Sequence, residues 1–445
     1  MKKNKVNQFI KNPKKALWTL SLPIVVGMMV QTLYNVVDTA YIGRLGADAI
    51  AALTFSFPLF FVLIAINSGI SAGVNSLISR FLGEKDKKSA ENAALHGIII
   101  SIISAIIICV IGLIFLRPLF ILFGATENVM NLAISYMSII LYGVIVMFPS
   151  FILNSIFAAQ GDTRTPMEMQ IIGLIINMIL DPIFIYGLRL GVKGAAIATI
   201  ISMSVTLILF IYHLEKRSHL RIKWKYLNFS YDLIKKIFNV GMPAAITLLL
   251  GSVALIATNK FMSHFGTEYV AAFGICSRLE SVVTMPIVGF SMAMLTLIGM
   301  FFGAKRFDLL KMISWYSIRI CLFITVIGGT LIFIFPNLFL RIFTDDPNLL
   351  SLGAAFIRID VFLFPLMGIN LIVSRIMQGM GFGMPGLIIN LIRVVFVSIP
   401  LAIFLVYVFD LGYLSVPFSW VIGALAAVIV AVIWLRKELE KVHVI

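Results

Sequence analysis

The strongest constraint on the fold is a succession of apolar stretches, each long enough to cross a bilayer and nearly free of charge. Leu95 to Leu116 contains no Asp, Glu, Lys or Arg, and about 18 such residues in a helix span roughly 30 Å of hydrocarbon. Comparable runs fall at 16–41, 50–79, 93–116, 131–157, 168–188, 194–213, 236–261, 270–300, 313–336, 355–378, 386–409 and 415–435. Only 12% of the residues are charged, about half the share usual in a soluble domain. A membrane barrel would alternate apolar and polar residues, whereas continuous apolar runs require helices that satisfy their own backbone groups. The expected fold is an all-α polytopic membrane protein with twelve transmembrane helices. Gly69 and Gly73 interrupt one long run, and Pro286 and Gly289 another, so bends are expected there.

A net charge of +15 would suggest nucleic acid in a soluble chain. Here the basic residues alternate from loop to loop. Lys2, Lys3, Lys5, Lys11, Lys14 and Lys15 precede the first run, and Lys85, Lys87 and Lys88 follow the second. Arg164, then Lys216, Arg217, Arg221, Lys223, Lys225, Lys235 and Lys236, then Lys305, Arg306 and Lys311, and finally Arg436, Lys437 and Lys441 continue the series. The intervening loops are poor in Lys and Arg. By the positive-inside rule both termini are cytoplasmic and the chain lies in the cytoplasmic (inner) membrane; nucleic acid is not an expected partner, and membrane lipids are. The expected organisation is a tail at 1–15, a first lobe at 16–213, a basic linker at 214–235, a second lobe at 236–435 and a tail at 436–445. The linker reads either as a solvated connection or as a segment lying on an anionic leaflet.

The two halves are related. Adding 220 takes Pro23 to Pro243, Leu45–Gly46 to Phe265–Gly266, Ala51–Ala52 to Ala271–Ala272 and Gly83 to Gly303. Gln160–Gly161 recurs as Gln378–Gly379, and Asn177 as Asn390. Ordered matches at a nearly fixed spacing indicate duplication. With six spans per copy, both copies enter from the same side, and their axis runs along the membrane normal. Two bundles flanking a central cavity suit alternating access rather than a continuous pore.

Carboxylates inside such a bundle are costly unless paired, protonated or bound to an ion. Asp38 lies toward the outer end of the first span, with Gln31, Tyr34 and Asn35 on the same polar stripe. Asp181 follows Asn177 by one helical turn in the fifth span, roughly 10 Å below its outer end at about 1.5 Å per residue. Thr199 and Tyr136 enter the membrane at similar depth. These groups form one polar layer, suited to Na⁺ at Asp38, Asn177 and Asp181, or to a carboxylic acid exchanging H⁺; the same layer could instead simply tie helices together. Pro23, Pro182 and Pro243 are candidate conformational bends. In the second half, Asn259, Arg278, Glu280, Met285 and Met292 are candidate site or substrate contacts, with Asp360, Arg358, Asn390 and Arg393 further polar groups. Phe55, Phe57, Phe60, Phe61, Phe151, Phe157 and Met294 could line an adaptable cavity for organic cations. Cys109, Cys276 and Cys321 have no ligand spacing, the five His are scattered, and no cofactor motif or catalytic constellation emerges.

The stretch from Ser21 through Pro23 to Asp38, followed by Tyr41–Ile–Gly–Arg–Leu–Gly46, resembles the start of the multidrug and toxic compound extrusion (MATE) transporters of the MOP superfamily. So do Ala158 to Pro166, Asn177 to Tyr186 and Gly194 to Thr199. The similarity covers essentially the whole chain and is nearest the DNA-damage-inducible and archaeal branch and related bacterial multidrug exporters. It implies two six-helix lobes and export of cationic or amphipathic compounds in exchange for H⁺ or Na⁺; a monomer is expected. The family's first-span acid falls on Asp38, its fifth-span Asn and Asp on Asn177 and Asp181, and its Tyr and Thr on Tyr136 and Thr199. Another branch carries an acid in span seven and one well inside span ten. This chain has Thr258–Asn259 in the first region and no acid from Met367 to Ser374, which places coupling in the first lobe. The alternative reading, a flippase for lipid or lipid-linked oligosaccharide, would call for more basic charge in the cavity and often extra spans.

Overall fold

The computed structural model describes residues 5–124 and 126–444, with side chains to Lys441, and no strand occurs among them. Lys2 and Lys3 lie outside the described residues. Twelve helices have the length and composition of membrane spans: α1 Pro13–Gly43, α2 Ala47–Gly83, α3 Lys87–Leu122, α4 Glu127–Ala159, α5 Arg164–Gly187, α6 Val192–Arg217, α7 Tyr231–Phe265, α8 Thr267–Gly303, α9 Phe307–Ile334, α10 Leu363–Met380, α11 Met384–Val408 and α12 Ser415–Lys441. Several outrun their apolar cores because polar first turns continue the helix. At α3, the Asp86 carboxylate accepts bonds from Ser89 N (3.0 Å) and Ser89 Oγ (2.6 Å). These satisfy an orphan amide and hold the Asp86 carboxyl below its ordinary range. Gly46 and Gly266, equivalent in the repeat, turn the chain between α1 and α2 and between α7 and α8 at φ of +110° and +137°, where a Cβ would be strained.

The duplication is visible in the contacts. A Cβ on Gly83 would collide with the carbonyl oxygen of Met300, and one on Gly303 with that of Arg80. Residues 80 and 300, like 83 and 303, are 220 apart, so the contact is reciprocal about a pseudo-twofold axis. Ser79 and Gly299, another equivalent pair, face each other: a Cβ on Gly299 would overlap Ser79 Oγ. Further along, Gly69 meets Gly241 backbone, while its counterpart Gly289 approaches Ser21 and Val25. The halves therefore close on one another through α2, α8 and the adjoining parts of α1 and α7, on the side that carries the basic loops. Ser76 Oγ donates to Gln378 O (2.5 Å) and Thr296 Oγ1 to Asn75 Oδ1 (3.0 Å) across this seam.

One expectation is corrected. The run expected as a span at 355–378 is divided: a separate helix, Pro347–Asp360, precedes α10. Pro365 has no N–H to donate to Val361 O, four residues back, and its ring crowds that carbonyl; the chain turns there. The linker, most of whose residues from Arg221 to Phe229 are exposed, is bonded to the first half. Gln160 Oε1 accepts from Ser218 Oγ (2.8 Å), His219 N (2.8 Å) and Leu220 N (3.2 Å). Glu91 accepts from Arg221 N (2.7 Å), Asn92 accepts from Asn228 N (3.1 Å) and donates to Asn228 O (2.8 Å), and His96 Nε2 accepts from Ser230 N (3.1 Å). Leu220 is fully buried.

Replacing Gln160 by Ala removes the acceptor of three linker donors, at a cost of about 1–3 kcal/mol for groups left unpaired. Trypsin cleavage within Lys216–Arg221, measured in vesicles exposing this face, should accelerate about tenfold in Gln160→Ala. An unchanged rate would show that these bonds do not hold the linker.

Candidate functional site

The polar layer inferred from depth assembles in the outer part of the first half. Asp181 and Asn177 are buried, at 0% and 2% exposure, and Asn177 Nδ2 donates to Asp181 Oδ1 at 3.0 Å. The Asp38 and Asp181 carboxyl groups face each other within hydrogen-bonding reach. Tyr34 and Tyr136 adjoin both carboxyl groups, and the Tyr34 side chain lies beside that of Thr199, whose Oγ1 donates to Ala195 O (2.9 Å). Asp38 Oδ1 and Asp181 Oδ2 are buried with no hydrogen-bond partner. No Lys or Arg among the described residues compensates the pair. Two facing carboxyl groups, each with an orphaned oxygen, are suited to share a proton or to receive a small cation.

Local structure fixes this geometry. Pro182 removes one helical amide immediately after Asp181, and Ile183–Gly187 continues as a π-helical turn within α5. The wider turn meets the start of α6 very closely: a Cβ on Gly194 would lie 2.6 Å from Phe184 backbone. Ile42, Ala49, Ile185, Val192 and Ala195 form a small apolar plug over the layer. The Tyr186 hydroxyl donates to Tyr41 O at 2.5 Å, joining α5 to α1.

The stripe on α1 proves to be two faces. Tyr34 and Asp38 turn into the bundle, whereas Gln31 and Asn35 are exposed and bond each other (Gln31 Nε2 to Asn35 Oδ1, 3.2 Å). Gln31 and Asn35 therefore leave the expected cluster. The 40° lag per four residues puts both pairs on one broad side of a helix, and only packing against α5 and α6 decides between them. Pro23 lies inside an unbroken α1, and Pro243 is buried in an unbroken α7.

The second half holds a differently charged cluster. Glu280 on α8 faces Arg393 on α11, and Asp360 faces Glu280; Arg393 Nε is buried without a hydrogen-bond partner. Arg278 is exposed, away from Glu280. Asn259 and Asn390 donate to carbonyls of their own helices, at 3.1 Å and 3.0 Å. Met285 is half-buried and Met292 exposed, but Met294 and Phe157 are sealed in the core, which removes them from the candidate contacts. Phe55 and Phe60 pack on the first half's own core, whereas Phe57 and Phe61 pair at 6.5 Å with Phe57 exposed. Sequence reasoning missed Tyr41, Tyr186 and Gly194; the small-residue run at the start of α6 was the available signal for the last.

An all-helical bundle with twelve spans, twofold repetition and a buried acidic pair in one half defines a membrane carrier. The MatE family model matches residues 23–183 and again 243–404, once in each half, and the chain belongs to that family: it is a MATE transporter of the MOP superfamily, and not an enzyme. The probable multidrug resistance protein YoeA of Bacillus subtilis is 29% identical, with 97% of each chain covered. The FAD transporter of Shewanella oneidensis is 30% identical over 87% of each. A crystal structure of a MATE protein in the bent conformation superposes with a TM-score of 0.95 at 30% identity, covering 100% of this chain and 99% of that one. A MOP superfamily transporter from Pyrococcus furiosus superposes at 0.93 and 30% identity, covering 100% of this chain and 99% of that one.

Removing one of two facing buried carboxylates relieves an unsatisfied group. Asp38→Asn should therefore raise thermal stability in sodium-free detergent solution, by about 1–3 kcal/mol. A melting temperature equal to or below the parent's would show that the pair is already compensated.

Proposed function

We propose that the chain is a cation-coupled antiporter that exports cationic or amphipathic organic compounds in exchange for H⁺ or Na⁺, with coupling at Asp38 and Asp181. The observation that carries this reading is the pair of facing carboxyl groups with orphaned oxygens and no basic partner. In the second half, Arg393 supplies the charge that the first half lacks. The several multidrug resistance proteins among the relatives support the substrate class.

With the basic loops taken as cytoplasmic, the glycine seam closes the inner side, which supports reading this arrangement as the outward-facing form. In this form substrate leaves and the ion enters the layer formed by Asp38, Asn177, Asp181, Thr199, Tyr34 and Tyr136. Occupation neutralises the carboxyl repulsion and lets α1 repack against α5. Pro23 and Pro182, each lacking a helical amide, lower the cost of bending. Related MATE structures have been solved in bent and in straight conformations, in keeping with a carrier of more than one state. Antiport requires ion and substrate to favour different states of one equilibrium. The ion therefore loads while substrate is absent.

The test is efflux of a fluorescent organic cation from energised vesicles, under imposed H⁺ and Na⁺ gradients in parallel. Asp38→Asn and Asp181→Asn should each lower gradient-driven efflux at least tenfold, and one of the two gradients should drive the parent. Retained gradient-dependent efflux in both variants would overturn the assignment. Because one relative is named an FAD transporter, FAD belongs beside the cation as a second substrate; transport of FAD alone would overturn the cationic substrate class.

A further inference from the structure

On the outside of the bundle, α9 carries a charged residue that the transport mechanism does not use. Arg319 lies twelve residues into α9 and six residues inside its apolar run at 313–336, about 9 Å past the start of that run at 1.5 Å per residue, and is exposed. No carboxylate or other hydrogen-bonding partner is seen for it among the described residues. A guanidinium at that depth requires an anion or a route to the headgroups. Helical geometry places Arg319 between Trp315 and Tyr316, one turn below it. Tyr316 reaches across to α1: Trp18 Nε1 donates to its hydroxyl at 3.3 Å, and Lys14 Nζ sits over its ring at 5.0 Å. On the other flank Arg436 of α12 stacks on Trp315 at 5.8 Å. Lys14, Trp18 and Arg319 are all exposed. Lys14 and Arg319 thus converge on an aromatic saddle that bridges the first half to the second.

Above Arg319, the same stripe of α9 turns apolar. Phe323, Val326, Thr330 and Phe333 follow at spacings of 4, 7, 11 and 14 residues, all within about 40° of Arg319 around the helix. Val326, Thr330 and Phe333 line a largely apolar cavity of about 230 Å³ whose far wall is Val361, Phe362 and Pro365 at the division before α10. A basic and aromatic lower end continuous with a greasy groove matches one kind of molecule: an anionic headgroup carrying acyl chains.

We infer that α1 and α9 form a binding site for an inner-leaflet anionic phospholipid, its phosphate between Lys14 and Arg319 and an acyl chain along Phe323 and Val326. Because Lys14 belongs to the first half and Arg319 to the second, a lipid held by both fastens the cytoplasmic seam from outside. Anionic lipid would then favour the conformation closed on that side.

The purified full-length chain, in micelles doped equally with phosphatidylglycerol and phosphatidylcholine, can be assayed for retained lipid by native mass spectrometry. One phosphatidylglycerol should be retained in clear preference to phosphatidylcholine. Arg319→Gln and Lys14→Gln should each weaken retention about fivefold, the size of one basic charge near the membrane surface, while Lys193→Gln at the opposite end leaves it unchanged. Lys14 is exposed in the first turn of α1, so Lys14→Gln remains informative should Arg319→Gln fail to fold. Equal retention of both lipids, or undiminished retention in Lys14→Gln, overturns the site. Displacement by soluble glycerol phosphate also overturns it, since the groove would then contribute nothing. As a second readout, phosphatidylglycerol brominated on its acyl chain should quench parent fluorescence more than it quenches Trp18→Phe; equal quenching counts against the placement. Neither measurement depends on transport, so these outcomes are independent of the coupling assignment.

Discussion

The close backbone crossing of α2 and α8 is the constraint on which the rest of the molecule depends. Gly83 and Gly303 bring each helix to within van der Waals contact of the other's backbone, where any side chain would collide. Lipid offers no hydrophobic drive for helix association, so close packing of small residues and interhelical hydrogen bonds must supply it. Because equivalent residues of the two copies face each other there, the seam also fixes the axis about which the halves are related. The outer parts of α1, α2, α7 and α8, which carry exposed Leu33, Val36, Phe57, Ile256 and Val282, are left free to bound a cavity.

Duplication has preserved the frame while the chemistry of the two copies has diverged. Both copies place charged groups on the outer portions of their helices. In the first, Asp38 and Asp181 meet without a cation of the protein's own; in the second, Arg393 stands beside Glu280. A carboxylate with a guanidinium nearby is already partly compensated and gains less from a transient ion. A carboxylate pair without one changes its environment whenever an ion arrives. The asymmetry between halves, more than the presence of acids as such, is what supports the proposal of coupling in the first half.

Much of this was legible in the residues themselves. Span number followed from apolar runs, the repeat from Pro23/Pro243 and Gly83/Gly303, and the acidic layer from the depths of Asp38, Asp181, Tyr136 and Thr199. Periodicity could not separate Tyr34 from Asn35, since both lie within one broad face of α1 until α5 and α6 are packed against it. The division before α10 was written in Pro365, but its effect falls four residues upstream, just after Arg358 and Asp360, and the apolar residues on both sides made the run read as one span. Glu91, Asn92, His96 and Gln160 resemble ordinary polar residues at helix ends. Their shared role in binding the linker depends on a chain segment more than 50 residues away from even the nearest of them, a relation that local sequence does not encode.

That linker changes how relative motion of the halves must be pictured. Residues 218–230 are fastened to the ends of α3 and α4, and Ser230 in turn caps α7, its Oγ accepting from Leu233 N. Although 13 residues long by number, the segment adds almost no slack: the covalent link behaves as a ball joint seated on the first half. Displacements at the far ends of the bundle then scale with the lever arm from that joint, so small angular changes near Ser230 become large openings at the outer face.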